Sequence, residues 1–124
     1  MTDSILDALD PADARRVLAA GRTLTLPQGW SPIAAGTPAD KAYLITEGEV
    51  SVRKGGLEIA TLGPGSVVGE AAIVNRTLRS ATVVALTPLE VVHFTSDRLS
   101  ELADEVPAFG DALRAAAAAR IHGG

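Results

Sequence analysis

The stretch "VVGEAAIVNRTLRSATVVAL", residues 67–86, sets Glu70 directly after a glycine and Arg79 nine residues later, each flanked by apolar runs, with a polar insert at Asn75–Thr77 between them. A charge embedded among valines and alanines must be at least partly buried and needs a partner. An isolated Glu–Arg pair at a surface is worth little, so the surroundings give the two charges their meaning. Gly63, Gly65 and Gly69 let the backbone turn sharply. Residues 70–74, "EAAIV", are expected to form one helical turn whose free N–H groups face an anion. Arg79 can add a forked, charge-assisted contact to a phosphate. Glu70 repels phosphate, and is better placed to accept a hydrogen bond from a sugar hydroxyl. Phosphate and ribose together indicate a nucleotide, whose base would lie on apolar strand faces, with Val50/Val52 and Leu57/Ile59 the candidates. The other reading of Arg79 is a salt bridge to Glu70 inside an empty domain.

The rest of the chain frames this segment. Its 124 residues, 47% hydrophobic, fit one domain over 1–124. Residues 4–20 place apolar positions at helical spacing, with Asp10 as N-cap and Pro11 at the first helical position, and predict two short helices within 1–21. From 22 to 94 the rhythm alternates with period two: "RTLTL", "AYLIT", "EVSVRK", "LEIATL", "SATVVAL" and "LEVVHF", separated by turns rich in glycine and proline. That spacing predicts a mainly β unit, an antiparallel β-roll of jelly-roll type, with flanking helices. Helical period returns over 95–124, with a Thr95–Ser96 cap, a short helix from Asp97 and a longer one from Pro107. Phe109, Leu113, Ala116, Ala117 and Ile121 line one side of it, which suits core packing and a moving lid equally.

Composition excludes several function classes. There is no cysteine, hence no disulfide, thiolate metal site or thiol nucleophile. The two histidines, His93 and His122, cannot supply the histidine cluster of a metal-dependent cupin, and no metal is expected. Ser66 lacks a strand–elbow–helix context, so no catalytic residue is assigned and an enzyme is not expected. A net charge of −4 with 11 basic residues scattered along the chain argues against a duplex binder. The acidic, interrupted N-terminus and the lack of a long apolar run predict a cytoplasmic protein without a membrane segment.

"GEAAIVNRTLRSATV" resembles the phosphate-binding cassette of the cyclic nucleotide-binding domains, of the catabolite activator and protein kinase A regulatory subunit type. "GTPADKAYLITEGEVSV" resembles the family's preceding hairpin and "LGPGSVVGE" its approach to the cassette. The flanking helices resemble the family's own, so the likeness covers essentially the whole chain, with a cassette at 69–83. It implies that Glu70 binds the ribose 2′-hydroxyl and Arg79 the cyclic phosphate. It also implies that Gly69, Ala71 and Ala72 form the backbone cradle, that Ser80 lies near phosphate or base, and that Val52 and Ile59 contact the base. The implied ligand is cAMP in preference to cGMP. Pro32, in "GWSPIAAG", departs from the family pattern and predicts an edge strand there. The chain as given carries no helix-turn-helix, so direct DNA binding is not expected. The expectation is a bacterial, cytoplasmic regulatory module, monomeric or weakly dimeric, signalling to a partner protein through its C-terminal helix. The alternative is a ligand-free scaffold that contacts a protein partner.

Overall fold

The computed structural model describes residues 5–31, 36, 40–69 and 81–121. A short 3₁₀ turn, Leu6–Ala8, precedes helix α1, Pro11–Ala20. Seven strands follow among the described residues: β1 Arg22–Leu26, β2 Lys41–Glu47, β3 Val50–Lys54, β4 Leu57–Leu62, β5 Val67–Val68, β6 Thr82–Ala85 and β7 Leu89–Thr95. Helices α2, Ser96–Glu105, and α3, Pro107–Ile121, close the described chain.

The helix starts are chemically specified. The Asp10 carboxylate accepts from the Asp13 N–H at 2.8 Å, and Pro11 occupies the first turn, where a missing N–H costs nothing. The Thr95 hydroxyl accepts from the Arg98 N–H at 3.1 Å, so α2 begins where β7 ends. The first of the two expected N-terminal helices is instead a three-residue 3₁₀ turn. Pro11 and its capping aspartate begin a new element directly after it, leaving too few residues for α-helical bonds.

The strands form two antiparallel sheets, in the orders β1-β7-β2-β5 and β4-β3-β6. One face of the four-stranded sheet, carrying Ala42, Leu44, Val67, Val92 and Phe94, packs with Val17, Leu99, Leu102, Phe109 and Leu113 of the helices. Its other face, carrying Tyr43, Ile45, Val68, Leu89 and Val91, meets Val50, Leu62, Val83 and Ala85 of the three-stranded sheet. Strand β2 is therefore covered on both faces, so Ala42–Ile45 are buried in succession where the period-two reading expected alternation. This is the β-roll with flanking helices that the sequence predicts. The core-packing reading of the last helix holds for Phe109 and Leu113, both buried.

Short connections at 47–50 and 85–89 tie the two sheets together at one end. The first turns on Gly48, at φ 93°, a region that side chains disfavour. The opposite strand ends, Arg22, Lys41 and His93 in one sheet and Lys54, Leu57 and Thr82 in the other, consequently lie together at the far end of the roll.

Candidate functional site

That far end is where the segment 70–80 leaves and returns. It departs after Val68 and Gly69 in the four-stranded sheet and re-enters at Thr82 of β6. Glu70, Ala71, Ala72, Arg79 and Ser80 lie outside the described residues, as do the helical turn expected over 70–74 and the edge strand expected around Pro32. The two anchors of the segment are well defined. Val67 pairs with Leu44 and Val68 with Tyr43, so β5 is held on the buried middle, Ala42–Ile45, of an inner strand. Gly69 then takes φ 90°, the left-handed turn expected of it, and Gly65 takes φ 89°. Gly63, for which the same freedom was expected, is not among the glycines with positive φ. The turn before β5 is pinned to β2 by Gly65 N–H donating to the Ile45 carbonyl at 2.7 Å and Ile45 N–H donating to the Ser66 carbonyl at 2.9 Å. At the other anchor, Val83 pairs with Val52 and its carbonyl accepts from the Ser31 hydroxyl at 2.9 Å.

Between the anchors the β3–β4 hairpin offers an apolar wall. Its inner face runs from Val50 and Leu62, both in the core, to half-buried Val52 and its partner Ala60, which is exposed. Toward the hairpin tip Leu57 is 72% exposed. Ile59, 43% exposed, sits at the register shift between the Val52–Ala60 and Arg53–Glu58 pairs. The structure thus brings Val52 and Ile59 to the same end of the roll as Gly69. Of the other base-facing candidates, Leu57 is with them, whereas Val50 is wholly buried in the core, because its strand position pairs it with Leu62 and Ala85.

Sequence reasoning weighed His93 only as a metal ligand and otherwise gave it a structural or incidental role at a strand end. Strand register places it in a row, Arg22–His93–Tyr43–Val68, that crosses all four strands of the larger sheet and ends beside Gly69. Its ring lies against Tyr43 with centroids 5.5 Å apart and planes tilted by 49°. Burial pushes the imidazole pKa below its usual value, and the neighbouring charges of Lys41 and Arg22 push the same way, against a smaller opposing effect of Asp40. No sequence signal exposes such a row, since its members are far apart in the chain. Among the described residues no group of histidine and carboxylate side chains can hold a metal ion, and no helix is long and apolar enough to cross a membrane.

Comparison with known proteins places this geometry. The family model for the cyclic nucleotide-binding domain matches residues 23–106. A protein named glutaminase 2 from Bradyrhizobium diazoefficiens is 35% identical over 99 residues, 79% of this chain and 16% of that protein. The cAMP-dependent protein kinase regulatory subunit of Schizosaccharomyces pombe is 33% identical over 99 residues, 79% of this chain and 24% of that one. The chain therefore spans a quarter or less of the length of these curated relatives. The crystal structure of the catabolite activator protein of Thermus thermophilus superposes with a TM-score of 0.83 at 26% identity, over 95% of this chain and 58% of that one.

Proposed function

This chain belongs to the cyclic nucleotide-binding domain family, and we propose that it binds 3′,5′-cyclic AMP as a small regulatory module whose C-terminal helix reports occupancy to a partner protein. The observation that carries the reading is the coincidence of three features at one end of the roll. They are the left-handed Gly69 that opens the cassette, the strand β6 that receives it, and the accessible apolar wall of Val52, Ala60 and Leu57 between them. An apolar wall beside an anion-binding turn suits a base and a phosphate joined by a short sugar. In this reading Arg79 and the N–H groups of Ala71 and Ala72 hold the cyclic phosphate, Glu70 accepts from the ribose 2′-hydroxyl, Ser80 lies near phosphate or base, and Val52 and Ile59 contact the base. The relative named as a cAMP-dependent regulatory subunit supports the choice of adenine. The differing names of the relatives, one a glutaminase and one a kinase regulatory subunit, suit a module that serves unlike outputs.

Calorimetric titration tests the reading. We expect cAMP to bind and cGMP to bind more weakly by about 1–3 kcal/mol, the discrimination that a largely apolar base wall supplies. Arg79→Ala should cost about 2–5 kcal/mol of affinity, and Arg79→Lys should recover only part, because a point charge cannot form the planar fork. If Arg79 instead bridges Glu70 structurally, the same substitution leaves affinity intact and lowers the stability of the ligand-free protein, leaving a partly buried carboxylate unpaired. Equal or tighter cGMP binding would overturn the choice of base. Absence of heat with either nucleotide would leave the ligand-free scaffold as the better description.

A further inference from the structure

Four basic residues that are scattered in the chain come together in space. Strand register collects Arg22, Lys41, Arg53 and Lys54, all exposed, at the end of the roll where the cassette departs and returns. Arg22 starts β1 and pairs with His93, while Lys41 starts β2 and pairs with Thr95. Arg53 and Lys54 end β3, where Arg53 pairs with Thr82, the first strand residue after the segment 70–80. The Arg53 guanidinium is oriented by its Nε, which donates to the buried Ser51 hydroxyl at 3.0 Å. Asp40 before β2, Glu58 on β4 and Asp97 in the first turn of α2 are the acidic residues described at this end, against these four cations. At the opposite end, the turns 26–31, 47–50 and 85–90 hold Glu47, Glu49 and Glu90 and no lysine or arginine. The roll is thus polarised along its length, within a chain whose net charge is −4.

Resting on the nucleotide reading above, we infer that Arg22, Lys41, Arg53 and Lys54 form a steering rim, which raises the rate at which an anionic cyclic nucleotide finds the cassette without holding it once bound. The inference follows from where the charges sit. Exposed side chains in high dielectric contribute little to a bound contact, yet they add to the potential that an approaching anion experiences. An overall negative protein repels a phosphate, so a local positive end opposed by a negative one decides which approach is productive. Rim charges act on association rate and its salt dependence, whereas groups buried against a ligand act on dissociation.

The test is stopped-flow binding of a fluorescent cAMP analogue to the full chain at low and high ionic strength, comparing the parent protein with Arg22→Gln/Lys54→Gln, a pair chosen because both side chains are exposed. At low salt the double variant should associate about three- to tenfold more slowly, with a dissociation rate within about twofold of the parent. The difference should vanish near 0.5 M salt, roughly, where the Debye length falls to a few ångströms. Glu49→Gln, at the other end, should leave the association rate close to that of the parent. An unchanged association rate in the double variant, or a loss carried by faster dissociation, overturns the rim while leaving nucleotide binding intact. Failure of the parent protein to bind the analogue overturns the nucleotide reading and the rim with it.

Discussion

At Gly48 the backbone is held at φ 93°, and a Cβ there would run into the Pro88 carbonyl oxygen and lie 2.7 Å from the Thr87 hydroxyl. Both costs fall on any side chain, so Gly48→Ala should destabilise the fold by about 2–4 kcal/mol, a left-handed penalty plus overpacking. Urea unfolding checks this as a lower midpoint at unchanged slope. His93 offers a second residue-scale test with a defined sign. Its folded pKa lies below the ordinary 6.5, so the folded state resists a proton that the unfolded chain accepts. Stability is therefore full above the unfolded pKa and falls as pH drops through it, until the folded form also protonates. Unfolding at about pH 7.5 and about pH 5.5 should show this loss, and His93→Gln should reduce it. His122 is common to both proteins, so the difference between them isolates His93. An equal loss in the variant would place the titration elsewhere.

Among the elements, the crossing of α2 and α3 makes the sharpest demand. Gly110 is buried in α3, and a Cβ there would lie 2.8 Å from the Ala103 carbonyl oxygen of α2. In an exposed helix Gly→Ala gains about 1 kcal/mol from propensity. Here the contact is with backbone that cannot rotate away, so Gly110→Ala should cost about 1–2 kcal/mol net as the helices separate. Thermal unfolding that showed the ordinary gain would mean that the crossing yields. Elements of this kind were legible in the sequence to differing degrees. The caps at Asp10 and Thr95 and the long alternating strands were plain, because side-chain period and capping chemistry are local. Strand β5 was not, since two valines define no period and their pairing is dictated by Tyr43 and Leu44 on a strand more than twenty residues earlier. The cassette's residue types suggested a phosphate and sugar site, and Glu70, Arg79 and Ser80, which carry that reading, lie outside the described residues. The charge-bearing rim and the His93–Tyr43 row were not legible, because they exist only through register between distant strands.

Across the whole molecule β5 links the two cores. Val67 points into the core shared by the sheet and helices with Phe109 and Leu113, Val68 points into the core between the sheets, and Gly69 then opens the cassette. A ligand held by the cassette would restrain β5 directly, and through Val67 the packing surface on which α3 rests. Nucleotide binding should therefore slow amide hydrogen exchange along the described part of α3, in addition to the general stabilisation that any ligand of the folded state confers by mass action. The two effects separate by location and by variant. Mass action raises protection only where exchange requires global unfolding, whereas the β5 route acts on local opening of α3. Val67→Ala removes two methyl groups from the helix-side core and leaves Val68, Gly69 and the cassette sequence untouched. It should lower stability by about 1–3 kcal/mol and blunt the nucleotide-dependent protection of α3, while changing cAMP affinity by less than about threefold. If α3 exchange is indifferent to nucleotide in the parent protein, the helix is ordinary core and the domain acts as a ligand buffer. If Val67→Ala leaves the protection undiminished, coupling to α3 runs through some route other than β5.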